Sequence, residues 1–285
     1  MVRIFVRPGG VGAGSHKKKN GKGLWIMKFG SLFSGIGGLD LGLERAGMEC
    51  VWQVEIDDYC KRVLEKHWPD VPRYGDVRHV TQLPYVDLIC GGFPCPPVSL
   101  AASSKRKFED DERWLWDDFF RIICEVEPRW VLVENVPGLL SARDGKLFGG
   151  ILGDLASVGF DAEWRVLSAK EFGAWHLRKR VFIVAYAKSI GQLRRDVQAT
   201  LLAGGIQKEG ARRRCTTWRS TPITGKSGRV FPIPGPDIFR VADGFPTDVD
   251  KHRIKACGNA VVPQVAEWIG RRIMTFDKVY IDKEK

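Results

Sequence analysis

The chain contains no apolar run approaching the roughly 20 residues of a membrane-spanning helix, which excludes a bundle of transmembrane helices. Its N-terminus lacks an apolar signal core before a small-residue cleavage site, so a cytoplasmic protein is expected. No CxxC pair and no His/Cys cluster at zinc spacing occurs, and no bound metal is expected. The seven cysteines are scattered (Cys50, Cys60, Cys90, Cys95, Cys124, Cys215 and Cys257) and read as free thiols, most of them small buried hydrophobes. The GxGxxG spacing of dinucleotide folds is missing as well. What is present is the balance of a globular protein, 44% hydrophobic and 28% charged over 285 residues.

Acidic residues are nearly absent from two segments. Residues 1–28 carry seven Lys/Arg and no acid, and residues 186–232 carry ten against Asp196 and Glu209. With a net charge of +11 overall, the rest of the chain is mildly acidic. Two basic segments beside such a body suit a polyanionic partner, although charge alone equally fits a solvated loop and a tail.

Residues 1–26, rich in Gly and Lys, read as a flexible basic extension. From Met27 apolar runs of strand length alternate with helical patterns. "MKFGSLF", "CVWQVE", "YVDLIC", "WVLVEN", "AEWRVLSA" and "RVFIVAYA" read as strands. "GLDLGLERAG", "DDYCKRVLEKHW" (with Asp57 as N-cap), "LWDDFFRIICEVE" and "FGGILGDLASVG" read as helices. That alternation predicts an open, mostly parallel α/β sheet over 27–187. Residues 188–239 lose periodicity and read as a small irregular lobe. In 240–285, "NAVVPQVAEWIGRRIMTF" predicts a terminal helix with Val265, Ile269 and Ile273 on one side.

Gly35, Gly37 and Gly38 stand at a strand-to-helix turn, where backbone can approach a ligand closely. Glu55 follows about 20 residues later, the distance at which such folds hold ribose hydroxyls, and Asp76 is placed to accept from an adenine amino group. Together these outline an adenosine pocket. Cys95 lies in the proline-rich "GGFPCPPVS" after a strand, at the carboxyl edge where ligands bind in such sheets. The next strand end carries Glu134 and Asn135. A thiolate beside an acid suits covalent attack on an electrophilic ring whose nitrogen the acid protonates.

"FSGIGGLD", "GGFPCPPVS", "ENVPG", "RKRVFIVA" and "GNAVVPQVAEWIG" stand in the order and spacing of the DNA (cytosine-5)-methyltransferases, which the chain resembles from Met27 to Thr275. The resemblance implies a Rossmann-like α/β sheet with a small target-recognition lobe, a C-terminal segment returning to the catalytic domain, and S-adenosyl-L-methionine as cofactor. It implies Cys95 as nucleophile, Glu134 on cytosine N3 and the exocyclic amine, and Arg178 and Arg180 near the base. For the cofactor it implies Phe33, Ser34, Gly35, Gly37, Gly38, Leu39, Glu55, Ile56, Asp76, Val77, Pro94, Asn259, Ala260 and Val261. Ser99, Asn135, Arg212, Arg213 and Arg214 are expected to meet DNA, phosphate contact being the default for the three arginines. The expected setting is a monomer on double-stranded DNA in a bacterial cell or phage-infected host, acting by base flipping in restriction-modification or self-protection. The alternatives are a transfer-RNA cytosine-5 methyltransferase of the same family and a non-catalytic DNA-binding relative. The chain departs from the family pattern at Pro96 and His176, where glutamines are usual, at Trp175 in place of proline, and at Ile56 in place of an aromatic residue.

Overall fold

The computed structural model describes residues 26–95, 114–174, 176–187, 221–224, 230–233, 252 and 255–283. Seven strands form one sheet: β1 (Lys28–Leu32), β2 (Glu49–Val54), β3 (Arg73–Tyr74), β4 (Leu88–Gly91), β5 (Trp130–Asn135), β6 (Phe160–Ser168) and β7 (Lys179–Ala187). Their order is β3-β2-β1-β4-β5-β7-β6. The first five are parallel, as the double-sided apolar runs predict. β7 runs antiparallel to both β5 and β6, so the last two predicted strands form a hairpin at one end of the sheet. A separate two-stranded hairpin, β8 (Thr221–Thr224) with β9 (Val230–Ile233), stands in a segment whose sequence shows only turn signals.

Helices α1 (Gly38–Arg45), α2 (Asp58–His67), α3 (Trp116–Val126), α4 (Lys146–Ser157) and α5 (Pro263–Lys283) cover the sheet. α2 begins where expected, because the Asp57 carboxylate accepts from the Tyr59 and Cys60 backbone N–H groups. One face of the sheet packs with α3 and α4 through Trp52, Trp116, Phe119 and Ile151. The other packs with α1 and α5 through Phe29, Leu43, Leu132 and the predicted Val265, Ile269 and Ile273 stripe. α5 packs against α1 and this face of the sheet. Of the six thiols described, Cys50, Cys60 and Cys90 are buried as expected, Cys95 is half-buried, and Cys124 and Cys257 are exposed, against the expectation that most are core residues.

A polar knot fastens α5 to the amino edge of the sheet. Arg129 bonds Asp87 at 3.0 Å and Asp277 at 2.8 Å, and the Trp130 indole donates to Asp277 at 2.9 Å. Burial pushes the Asp277 carboxyl up, and Arg129 opposes that shift. Asp277→Ala would leave the mostly buried Arg129 with Asp87 as its remaining carboxylate and the Trp130 indole without its acceptor, so a loss of about 2–3 kcal/mol is expected in urea unfolding.

Candidate active site

Where β1 ends, the chain must turn sharply to start α1, and it does so through alternate left-handed residues: Phe33 (φ 53), Gly35 (φ 55) and Gly37 (φ 80). A bulky residue in that region is strained by about 1–2 kcal/mol. Phe33 is held there by a stack on Phe119 at 6.2 Å. Ser34 closes the turn, its N–H donating to Val54 and its hydroxyl to Ser31. Two glycines serve different ends. A Cβ on Gly35 would meet nothing within 4 Å, so open space lies beside this loop. On Gly38 it would stand 2.3 Å from the Val261 carbonyl oxygen, so the glycine is what lets "GNAVVP" dock on the loop.

Glu55 emerges from β2 beside this turn. Its Oε2 accepts the Gly35 N–H at 2.6 Å and its Oε1 the Asp57 N–H at 2.7 Å. A carboxylate has about four lone-pair sites, so capacity remains for hydroxyls of a ligand. Ile56, next to it, is 61% exposed, unusual for an isoleucine in a packed domain. Asp76 caps the turn Val77–His79 and forms a fork with Arg78, which holds its carboxyl down at about 2. An adenine amino group would share that carboxylate with Arg78. Leu39 and Val77 are buried in the two core clusters, so their side chains are not presented to a ligand. Val261 backs onto Gly38, Ala260 is half-buried and Asn259 is exposed.

The second half of the site lies across the point where strand order reverses, between β1 and β4. β4 leads through Gly92 and Phe93 to an exposed Pro94 and the half-buried Cys95. Burial pushes the Cys95 thiol above its ordinary range. Glu134, near the end of β5, approaches so closely that a Cβ on Gly92 would stand 2.7 Å from its Oε2. Because β7 is antiparallel to β5, with Asn135 opposite Val181, its first residues lie at this same edge. Arg180 Nε meets Glu134 Oε1 at 2.9 Å, an ion pair off the axis of a good hydrogen bond. Burial raises the Glu134 carboxyl toward its protonated form, opposed by Arg180 and Arg178. Arg178 donates through Nη1 to the Gly258 carbonyl at 2.5 Å, while its buried Nε and Nη2 have no hydrogen-bond partner among the described residues.

Asn135 is not at the surface where a DNA contact would need it. It is 3% exposed, its amide donates to the Phe93 carbonyl at 3.1 Å, and its oxygen accepts the Val136 N–H at 2.8 Å. It therefore ties β5 to the backbone two residues before Cys95. The Phe93 ring is wedged among Trp114, Trp116 and Phe119, and Phe119 also carries Phe33, so one aromatic cluster underlies both halves of the site. Pro96, Ser99, Trp175, Arg212, Arg213 and Arg214, with residues 1–25, lie outside the described residues.

Sequence reasoning missed the polar circuit behind the glycine turn. Asp40, fully buried in α1, accepts from Ser31 at 3.0 Å and Gln53 at 2.8 Å. Gln53 accepts from Arg73, which also donates to the Trp68 carbonyl. The Trp68 indole in turn donates to Glu44 of α1 at 2.8 Å. Burial lifts the Asp40 carboxyl to about 6 despite those donors. An aspartate in a first helical turn reads as a partner of the helix dipole; only Gln53, a polar residue amid the apolar "CVWQV", hinted at an inward-facing partner.

No group of His, Cys, Asp and Glu that could hold a metal occurs among the described residues, and no helix there is long and apolar enough to cross a membrane.

The chain is 35% identical over 168 residues to the Type II methyltransferase M.HgiCII of Herpetosiphon aurantiacus, covering 58% of this chain and 38% of that protein. It is 34% identical over 221 residues to M.NgoBV of Neisseria gonorrhoeae, covering 72% and 51%. With M.HhaI of Haemophilus parahaemolyticus the figures are 32% over 171 residues, 59% and 52%. It spans about half or less of the length of these curated relatives. A solved Escherichia coli structure, described as a prophage-encoded DNA modification methyltransferase, aligns at 29% identity with a TM-score of 0.49, covering 58% of this chain and 48% of that one. The sequence profile of the C-5 cytosine-specific DNA methylases matches residues 27–204, more than half the chain and both halves of the site. The chain belongs to the C-5 cytosine-specific DNA methylase family.

Proposed function

We propose that this protein transfers a methyl group from S-adenosyl-L-methionine to C5 of a cytosine swung out of duplex DNA, releasing S-adenosyl-L-homocysteine. The observation that carries the reading is the convergence of Cys95, Glu134, Arg178 and Arg180 on the sheet edge that also presents the Phe33–Gly38 turn and Glu55. Flipping is needed because C5 and C6 are out of reach within the stacked duplex. The named Type II relatives support a role in DNA modification.

The residues around the turn fit an adenosyl cofactor. Open space lies beside Gly35, Glu55 keeps acceptors for ribose hydroxyls, and Phe33 and the exposed Ile56 offer apolar surface for adenine. When bound, S-adenosyl-L-methionine supplies an electrophilic methyl group. The protein's part is to make C5 of cytosine a nucleophile. The Cys95 thiolate adds to C6, and the C5–C6 double-bond pair moves onto C5 as Glu134 delivers a proton to N3. Burial favours the protonated form of Glu134 that this step requires. An arginine donating to O2 balances charge on the ring, a task for which Arg178 has unengaged N–H groups. After methylation the C5 proton leaves to a base, its bond pair re-forms the C5–C6 double bond, Cys95 departs with the C6–S pair, and N3 returns its proton to Glu134.

Asn135 acts on this chemistry through the backbone. Asn135→Ala should lower kcat about tenfold, the worth of one buried hydrogen bond. KM for the cofactor should be unchanged, because Asn135 bonds only the nucleophile loop and its own neighbour.

The assignment is tested with tritiated cofactor offered duplex DNA and transfer RNA in parallel. Label at C5 of DNA cytosines is expected. Label in RNA alone would favour the transfer-RNA branch of the family. DNA binding without label in either would make the chain a binding module.

A further inference from the structure

Three of the large apolar residues exposed among the described residues, Ile56, Val136 and Leu177, flank the site at the carboxyl edge of the sheet. Ile56 follows Glu55 in the cofactor half. Leu177 has no such explanation. It is 59% exposed and sits in the run His176-Leu177-Arg178-Lys179-Arg180, where every neighbour is basic. A lone exposed leucine is ordinary on a protein surface. This one is presented on a rigid mount. Its carbonyl accepts from the Ser168 hydroxyl at 2.5 Å and the Ala169 N–H at 3.0 Å. Ser168 is itself locked by a capping box with Glu171, and the next residue, Arg178, is anchored on Gly258. A side chain left in water on a fixed backbone costs little entropy to engage, which suits a contact surface. The surroundings specify the partner: basic groups for phosphates, an apolar tip for a sugar or base face, three residues before the arginine paired with Glu134.

We propose that Leu177 is an apolar wedge that packs into the duplex beside the target cytosine and helps hold that base out of the stack. This rests on the DNA reading above and adds a residue outside the reacting groups. Extruding a base costs a few kcal/mol of stacking and pairing, and an apolar side chain against the vacated neighbours recovers part of it. The contribution should therefore vanish when the target base is already unpaired.

The test compares Leu177→Ala, Leu177→Met and wild type on two duplexes. One is fully paired; the other has an abasic site opposite the target cytosine. S-adenosyl-L-homocysteine affinity and melting temperature are measured alongside, and both should be unchanged because the side chain is exposed. Leu177→Ala is expected to lose about tenfold or more in kcat/KM on the paired duplex, with the loss largely recovered on the abasic one. Leu177→Met should keep most of the activity. Equal activity of Leu177→Ala and wild type on paired DNA would overturn the wedge, and so would an equal loss on both duplexes. A wild type inactive on both would overturn the DNA reading itself, and the wedge with it.

Discussion

Cys95→Ser is expected to abolish methyl transfer, a loss of roughly four orders of magnitude or more, while cofactor affinity stays within about twofold. The loss is large because attack on C6 depends on the sulfur anion, and a serine hydroxyl is a far weaker acid and nucleophile. The cofactor half is spared because Glu55 and Gly35 bond each other and their own neighbours, with no bond to Cys95. Folding should be spared too, since Cys95 is half-buried and loses little volume. The wild-type pH profile has two opposed limbs: burial raises the Cys95 thiol, so the thiolate fraction climbs as pH rises, while the protonated Glu134 that the addition step uses is lost over the same rise, and turnover should peak between the two. Methyl transfer by Cys95→Ser near the wild-type rate, measured with tritiated cofactor, would remove the nucleophile from the account.

Glu134→Gln should slow transfer about 100- to 1000-fold without unfolding the protein. The amide keeps the shape that packs over Gly92 and can still donate a hydrogen bond to a ring nitrogen, but it cannot deliver a proton. Glu134→Ala is the poorer probe, because it would leave Arg180 and Arg178 facing each other at a half-buried edge without their counter-ion. Circular dichroism and cofactor titration of Glu134→Gln should match wild type. A kcat for that variant within about threefold of wild type would show that the acid does not carry a proton in the rate-limiting step.

The parts of the fold that follow local rules were legible in the sequence. Asp57 caps α2 as its position before a helical pattern implies, and the Val265, Ile269 and Ile273 stripe packs where its spacing puts it. The direction of β7 was not legible, because a double-sided apolar run such as "VFIVAY" suits a buried strand of either sense. Its antiparallel course is what carries Arg178 and Arg180 to the edge beside Glu134. Asn135 shows the same limit at the site. Its place after Glu134 suggested a contact with substrate, and only the folded chain shows its amide closing on Phe93. The Asp40–Gln53–Arg73 circuit was hidden for a related reason: long-range pairing of buried polar groups leaves no periodic trace in a sequence.

The most direct measurement is covalent trapping. Duplex DNA carrying 5-fluorocytosine at its cytosines is incubated with the protein and S-adenosyl-L-methionine, then the product is denatured and analysed by mass spectrometry. Fluorine blocks the final loss of the C5 substituent as a proton, so an addition step at C6 leaves protein and DNA joined. The account predicts a denaturation-resistant adduct that maps to Cys95 and is absent from Cys95→Ser. Methylation of ordinary cytosine DNA by a preparation that forms no such adduct, or an adduct mapped to another cysteine, would contradict it.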